Sequence, residues 1–405
     1  TDESLLYPKR NTTDESFTFI IKELKEAADL LPVTYSGDNW GRITKGAALA
    51  YCARIQLYRA SPMFNPSNEK KYWEDAYDTY KDVIGLDVYD LHPTFSDIWK
   101  EKGENNKEII WFKDYKKGTI THGWDAGNMM RSQAVGDATA NCPVQELVDA
   151  FPMKDGTPYV KSNPETNPYD YRDPRLRETV VWNGDTYGPR KEKVYTFVSE
   201  STDPNSPMYN FDGIDSHQSA TSTGYYMRKM KDESLDGTKG DYGYGKGSYT
   251  QWVELRYAEV LLGLAEAANE IGETEEGVEQ IKLIRKRAGI LPGENKRYGI
   301  PENISVDDFR TLVQNERYIE LAFEDKRYWD LRRWKLAHLK LNNQLTAMEI
   351  RKKINGEEIS YTYTRRVQRH DKTNKPVFLE KFYFLPLPKE ELLRNPNLEQ
   401  NEEWK

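Results

Sequence analysis

The chain has 405 residues, a formal net charge of −8 and a mean hydropathy of −0.86. The negative charge disfavours binding to nucleic-acid phosphates, no apolar run is long enough to span a bilayer, and the two cysteines, Cys52 and Cys142, cannot form a disulfide framework. Aromatic residues make up 12% of the chain, enough to build a core, an interface or a sugar-binding surface.

Three helices are predicted in the first hundred residues. The first covers 17–31, with Thr13 or Asp14 as its cap, and ends at Pro32. The second covers 44–60 and mixes alanines with larger apolar residues, which lets a neighbouring helix approach closely. An amphipathic helix at 70–84 completes a helix–turn–helix pair with it. A short strand is predicted at 108–112.

The segment 113–250 has a different composition, rich in Gly, Pro, Asn, Asp and Ser. Its prolines exclude long helices, so we predict one helix at 145–151 and short strands at 178–182, 194–198 and 225–229. The Gly- and Tyr-rich run 236–248 is predicted to be a mobile loop. Because a long irregular segment in a compact domain is usually functional, ligand binding is expected here.

A second helical pair follows at 252–271 and 275–288, joined at Gly272. A long helix is predicted over 306–341, with a bend after Asp325, and a strand over 378–388. Helical pairs of this kind build tetratricopeptide-like scaffolds. The predicted class is therefore mainly α, with a repeat-like helical scaffold, an irregular loop-rich segment and a few short β-strands.

The long helix carries charges on the face where apolar residues are expected. Glu316, Glu320 and Glu324 follow one another at intervals of four residues, so they repel each other unless nearby cations neutralise them. We predict a structural ion-pair network, because large aromatic residues lie between the charges. A catalytic carboxylate pair is disfavoured, since it would have to face a groove at a fixed separation. The predicted network comprises Glu316, Arg317, Glu320, Glu324, Arg327, Asp330, Arg332 and Arg333.

Known catalytic and metal-binding patterns are not found. The five histidines show no paired spacing, and HExxH, CxxC and G-x-S-x-G are missing. The run 240–247 resembles a phosphate loop but lacks its Ser or Thr, and Asp232, Asp236 and Asp241 do not follow EF-hand spacing. No catalytic residue, metal site or cofactor is predicted.

Sugar recognition requires flat apolar rings and planar polar groups on exposed loops. Three groups in the loop-rich segment fit this requirement, although each aromatic could instead pack on the core. The predicted ligand-binding residues are Trp124, Asp125, Asn128 and Arg131; Trp182, Asn183 and Tyr187; and Tyr209 and Phe211.

Several motifs resemble the SusD/RagB family of Bacteroidetes outer-membrane lipoproteins. The strongest runs from Arg317 to Trp334 and includes LAFE, Arg327 and DLRRW, with Asp325 where the family usually has Gly. Similar segments occur in family order at 41–50, 143–156, 172–176, 252–272, 285–289 and 384–404. The resemblance implies one SusD-like domain over 1–405, in which residues 14–112 hold the first helical pair, 113–250 the ligand-binding segment and 251–405 the second pair and the family motif.

The resemblance also implies a function and a location. The chain would bind oligosaccharide at the extracellular face of the outer membrane, pair with a SusC-like TonB-dependent transporter, and be held by an N-terminal lipid anchor. That anchor and the family's first helical portion would both precede Thr1. Nucleic acid is not an expected partner, and no catalysis is expected. Three alternatives remain open: a peptide-binding, RagB-like import protein; a helical glycoside hydrolase using Glu316 and Glu320; and a repeat scaffold that binds only proteins.

Overall fold

The computed structural model describes residues 6–133, 139–161, 163–217, 219–241, 247–368 and 377–405. The chain begins with three helices: α1 (Thr13–Leu30), α2 (Lys45–Ala60) and α3 (Lys70–Ile84). Thr12 and Glu15 cap the start of α1 reciprocally, and the Thr44 hydroxyl accepts a hydrogen bond from the Ala47 N–H at the start of α2. The three predicted helices are confirmed to within a few residues, but the cap of α1 is Thr12 and not Thr13 or Asp14.

The small residues of α2 allow close packing. Ala47, Ala50 and Ala53 are buried, and α2 packs against α3, whose Trp73 and Tyr80 complete this part of the core. Strand β1 (Ile109–Lys113) follows, as predicted.

In its described residues, the loop-rich segment contains only short helices and strands. They are α4 (Trp124–Gly127), α5 (Gln145–Ala150), α6 (Pro174–Thr179), β2 (Val180–Val181), β3 (Thr186–Tyr187), β4 (Glu192–Lys193) and β5 (Tyr226–Met227). Strand β2 pairs with β5 and β3 with β4, all antiparallel. The strand predicted at 194–198 is wrong: the pairing ends at Lys193, and the Val198 N–H donates to the Ile350 carbonyl instead. Residues 242–246 of the predicted mobile loop lie outside the described residues.

The second helical pair begins later than predicted. Residues 252–256 form strand β6 (Trp252–Arg256), and only then does α7 (Tyr257–Ile271) start, followed by α8 (Thr274–Ala288). Strand β6 pairs antiparallel with β1, with Val253 opposite Phe112. The helical interpretation was wrong here because Trp252, Val253 and Leu255 fit either apolar period, and pairing with β1 decides the outcome.

The predicted helix 306–341 is three helices: α9 (Val306–Glu320), α10 (Arg327–Arg333) and α11 (Ala337–Lys340). Backbone φ angles of 63° at Phe323, 60° at Asp325 and 57° at Lys335 break it. These left-handed conformations cannot continue a right-handed helix. The bend expected after Asp325 is therefore a complete interruption.

A long hairpin follows that we did not predict, made of β7 (Thr346–Asn355) and β8 (Glu358–Val367). Asn355 pairs with Glu358 across a two-residue turn, and Gly356 takes φ 63° at the first central position. Glycine at that position is typical of hairpin turns. Helix α12 (Lys389–Arg394) lies near the end. The strand predicted at 378–388 is wrong, since Glu380–Tyr383 forms a 3₁₀ turn that buries Tyr383.

Helix α7 joins the two helical pairs. Nearly all of its residues are buried because α3 packs on one side of it and α8 and α9 on the other. Among the described residues, none of the helices combines the length and apolar character needed to cross a bilayer. The predicted class, mainly α with a repeat-like scaffold, a loop-rich segment and few short strands, is confirmed.

Candidate ligand-binding site

Trp124 lies at the start of α4 and is half-buried. Its ring packs edge-on against Trp252 of β6, with ring centroids 5.4 Å apart, beside the buried Val253 and Met230. The indole N–H is buried and donates to no group in the described part of the chain. Trp124 therefore fastens α4 to strand β6 and offers little of its ring to a ligand.

Asp125 and Asn128, expected beside Trp124 on an exposed loop, are buried instead. Asp125 Oδ1 accepts a hydrogen bond of 2.8 Å from the Asp232 N–H, and its Oδ2 accepts one from the Ser248 hydroxyl. Asn128 donates to the Trp124 carbonyl and accepts from Asn141. Both side chains satisfy local backbone and loop groups, so they do not form the predicted platform.

The surroundings of Asp125 shift two pKa values. Burial raises the pKa of Asp125 to about 6, although Lys231 opposes the change. Burial likewise lowers the pKa of Lys231 to about 8, and Asp125 opposes it. The Lys231 ammonium donates to the Asn128 carbonyl at 2.8 Å. Both the Asp125 carboxylate and the Lys231 ammonium are buried, so they hold the surrounding loops in place and do not contact a ligand at the surface.

The second predicted group also lies inside the fold. Trp182 stacks on Tyr169 at 5.0 Å, and the Asn183 Oδ1 accepts a hydrogen bond of 2.9 Å from the Thr196 N–H. Tyr187 is 1% exposed and lies beneath the cations of Arg228 and Lys231. Asn183 and Tyr187 are buried and Trp182 is partly buried against the core, so their placement does not support their prediction as ligand contacts.

The third group is different, because Tyr209 and Phe211 line an open depression of about 860 Å³. Phe211 is 39% exposed, and the Arg131 guanidinium lies 5.8 Å from its ring centroid. The structure thus brings Arg131, which we grouped with Trp124, to Phe211 instead. The depression, which we call the Tyr209 depression, is lined by Ser199, Glu200, Ser201, Thr202, Tyr209, Asn210, Phe211, Asp215, Ser216 and His217.

Hydrogen bonds fix the walls of the Tyr209 depression. The buried Asn210 donates to the carbonyls of Tyr195 and Phe197 at 3.0 and 2.8 Å. Asp212 accepts from the Ser132 N–H at 2.9 Å and from its hydroxyl, which holds the neighbouring Arg131 near Phe211. Burial raises the pKa of Asp212 above its ordinary value, although the two hydrogen bonds from Ser132 oppose this change. The walls of the depression are therefore held in shape by hydrogen bonds within the protein.

Charged groups at the rim are paired with residues of the β7–β8 hairpin. Glu200 bonds Arg351 at 2.7 Å, and Asp215 pairs with Arg366. Together with the hydroxyls of the lining they provide donors and acceptors around two aromatic rings. This arrangement suits a ligand with apolar ring faces and many hydroxyl groups. Sequence reasoning missed the hairpin's contribution because it missed the hairpin.

Most of the predicted charged helix face is buried, with Arg327 and Arg332 only partly so. Glu320 is fully buried and receives guanidinium groups from Arg175, Arg256 and Arg287, the first two at 2.8 Å. Burial alone would raise the pKa of Glu320, but these three cations hold it far below its ordinary value. Glu316 pairs with Arg175 at 2.7 Å. Neither carboxylate can reach a glycosidic bond, which removes the geometry that the hydrolase alternative requires.

Glu324 and Asp330 extend the network in two directions. Glu324 binds Arg256 and the buried Lys229, whose Nζ lies 2.6 Å away. Asp330 lies between Arg317 and Arg333, each at 2.9 Å. The sequence analysis did not include five further cations of this ion-pair network, because they come from distant segments of the chain. They are Arg175, Lys229, Arg256, Arg285 and Arg287.

Two predicted members make other contacts. The Arg327 guanidinium lies 4.0 Å from the Tyr318 ring centroid. Arg332 donates to the carbonyls of Phe382 and Tyr383. These arginines contact a ring and backbone oxygens, where we had expected carboxylates.

A metal site was not predicted from the sequence. Within the described ranges, no group of three or more His, Cys, Asp or Glu side chains has a geometry that could hold a metal ion.

Comparisons with solved structures agree with this architecture. A SusD-like protein from Bacteroides fragilis superposes with a TM-score of 0.72 at 27% identity, covering 99% of this chain and 73% of that one. A second B. fragilis structure, described as a SusD-like carbohydrate binding protein, gives a TM-score of 0.74 at 24% identity, covering 98% of this chain and 74% of that one.

Sequence comparisons identify the family. SusD-like protein P2 of Formosa agariphila is 37% identical over 96% of this chain, and SusD-like protein P25 of the same organism is 22% identical over 80%. The chain spans only 64% and 56% of the lengths of these relatives. The SusD family model matches residues 107–404. The chain therefore belongs to the SusD family.

Proposed function

We propose that this protein captures oligosaccharide at the cell surface and delivers it to a SusC-like TonB-dependent outer-membrane transporter. Membership of the SusD family supports this proposal, and a solved relative from Bacteroides fragilis is described as a SusD-like carbohydrate binding protein. We place the protein on the extracellular face of the outer membrane, held by a lipid anchor, as the resemblance implies.

The observation that carries the proposal is the Tyr209 depression. It combines two accessible aromatic side chains with a rim of hydroxyls and ion-paired charges on fixed loops. A pyranose can place its C–H face on an aromatic ring while its hydroxyls bond to the rim. Stacking removes apolar area from water at about 25 cal/mol per Å², and each buried hydroxyl must regain a hydrogen bond.

The open geometry of the depression limits the affinity for a ligand. An open depression covers only part of a ligand, so the gain is partly offset by lost translational and rotational freedom. Affinity is expected in the range of about 1 μM to 1 mM. Weak binding of this kind suits a protein that must release its cargo to a transporter.

Calorimetry tests the site. Phe211→Ala should weaken oligosaccharide binding about tenfold, about 1.4 kcal/mol. The control is Phe19→Ala, which removes another exposed phenylalanine from helix α1, outside the depression. Equal affinities of both variants and the wild type would exclude the Tyr209 depression as the site. Peptides are titrated in parallel. Binding of peptides together with no binding of glycans would favour the RagB-like alternative.

Isolation of the full-length protein from its native outer membrane tests the transport role. A TonB-dependent transporter should copurify with it. Recovery from the cytosol, with protein partners but no transporter, would favour the repeat-scaffold alternative.

A further inference from the structure

A second cleft opens far along the chain from the Tyr209 depression, between residues 33–44 and strand β1. Its volume is about 210 Å³, and it shares no lining residue with the depression. Trp40 and Phe112 line it with ring centroids 4.9 Å apart, and Tyr35 and Tyr89 add further aromatic surface. We call it the Trp40 cleft.

The walls of the Trp40 cleft are fixed by their own contacts. The Gly37 N–H donates to Glu104 Oε1 at 3.1 Å, and the Trp40 N–H donates to the Gly37 carbonyl at 3.0 Å. Gly41 takes φ +87°, and a Cβ there would lie 3.6 Å from the Phe112 ring. This glycine allows the backbone next to Trp40 to turn directly over β1. The cleft is thus pre-organised, which lowers the cost of binding.

The side chain of Gln251, a residue that lines the Trp40 cleft, has unused hydrogen-bonding capacity. The residue lines the cleft and is 2% exposed, and its Nε2 donates to Asp114 at 3.3 Å. Its Oε1 is buried and accepts no hydrogen bond from the described residues. A buried acceptor without a hydrogen bond is energetically unfavourable. A ligand hydroxyl that donates to Gln251 would remove this penalty.

We propose that the Trp40 cleft binds one sugar residue, as a second carbohydrate contact separate from the Tyr209 depression. An aromatic wall beside an unsatisfied amide oxygen has the chemistry that a pyranose requires. The volume is below the roughly 300–1,000 Å³ of clefts that hold larger ligands, which limits the occupant to a single unit. The proposal rests on the proposed function. Two contacts on one long glycan would raise its retention through effective concentration.

Fluorine NMR can observe the cleft directly. The full protein is labelled with 5-fluorotryptophan, which gives signals from its ten tryptophans, and Trp40→Phe identifies the signal of Trp40. Titration with the oligosaccharide that binds the wild type should move this signal, both in the wild type and in Phe211→Ala. The signal of Trp329, 46% exposed on α10, serves as the internal control and should not move.

Variants separate this proposal from the proposed function. In the Phe211→Ala background, Trp40→Ala should lower the remaining affinity at least tenfold, and Gln251→Leu should lower it while leaving the rings in place. If the wild type binds oligosaccharide but the Trp40 signal stays fixed at saturation, the cleft proposal fails and the proposed function stands. If the wild type binds no glycan at all, both the proposed function and the proposed role of the cleft as a carbohydrate contact fail.

Discussion

Arg256 and Glu324 face each other through two hydrogen bonds, from Nε to Oε2 at 2.7 Å and from Nη2 to Oε1 at 2.8 Å. Both side chains are buried, and the other Arg256 nitrogen also reaches Glu108 and Glu320, at 2.7 and 2.8 Å. Arg256 ends β6 and Glu324 lies just beyond α9, so one guanidinium joins the β1–β6 sheet to the helical scaffold.

We predict that Arg256→Met lowers the free energy of unfolding by about 3–5 kcal/mol. The substitution leaves Glu108, Glu320 and Glu324 buried with less compensating charge, and this cost exceeds the loss of the pair itself. Urea unfolding followed by circular dichroism measures the change.

The matched control is Arg394→Met on α12. Arg394 is exposed and pairs with Glu390 and Glu391 on the same helix. Exposed pairs contribute about 0–1 kcal/mol, so this variant should unfold almost like the wild type. An Arg256 variant as stable as the Arg394 variant would mean that the buried network does not hold the fold together.

Asp125 should make stability depend on pH in an unusual direction. Its folded-state pKa of about 6 lies above its ordinary value of 3.8, because burial disfavours the carboxylate. The folded state then binds more protons than the unfolded state between these values, so this contribution to stability falls as pH rises from about 4 to 6. Asn cannot ionise, so the free energy of unfolding of Asp125→Asn should rise relative to that of the wild type over this range, by about 3 kcal/mol in total.

Asp155→Asn provides a control of opposite sign. Hydrogen bonds from the Thr157 side chain and backbone lower the pKa of Asp155, so its contribution to stability is present above its ordinary pKa and is lost as pH falls. Unfolding of both variants and the wild type at pH 4, 5 and 7 compares the two. A stability difference for Asp125→Asn that stays constant with pH would contradict its raised pKa.

Local signals predicted most of the scaffold. Thr44 before α2 and Ser61-Pro62 after it define a helix without any tertiary information, and the structure agrees. The run Trp252–Arg256 could not be decided in this way, because only its pairing with β1 distinguishes strand from helix. Gly356, the first of the two residues in the β7–β8 turn, was an available signal that was overlooked.

The candidate site was harder to predict, because exposure depends on tertiary contacts. Trp124 and Phe211 occur in similar loops, yet one packs on Trp252 and the other opens to solvent. Likewise, the charge spacing of Glu316, Glu320 and Glu324 indicated a network, but Lys229 lies 95 residues from its partner Glu324. Periodicity finds the face of a helix, and the chain's long-range packing selects its partner.

The break between α9 and α10 predicts contrasting effects of two substitutions at Asp325. This exposed residue has φ 60°, a left-handed conformation that glycine adopts freely, that Asp tolerates through its short polar side chain, and that costs other L residues about 1–2 kcal/mol. Asp325→Gly should leave stability within about 1 kcal/mol of the wild type. Asp325→Val, with a branched side chain, should lose about 1–2 kcal/mol. Thermal unfolding measures both, and equal values would show that the backbone relaxes at this position.

A last prediction concerns the contact between Gly156 and Gly299. A Cβ on Gly156 would lie 2.1 Å from the Tyr298 carbonyl oxygen, so the two backbone segments would have to separate. Arg285 opposes that movement, because its guanidinium binds the Tyr298 carbonyl at 2.9 Å and Glu316 at 2.9 Å. Gly156→Ala should therefore destabilise through the positive φ and through a backbone clash.

Gly184→Ala isolates the first effect. Gly184 has φ +86°, against +85° for Gly156, but a Cβ there meets nothing within 4 Å. Gly184→Ala should lower the free energy of unfolding by about 1–2 kcal/mol from conformation alone. The loss for Gly156→Ala should be larger by about 1–3 kcal/mol, because overpacking adds to it. Parallel urea unfolding gives the difference. Equal losses would show that the segments around Gly156 and Tyr298 separate easily, and that Arg285 does not tie them to α9.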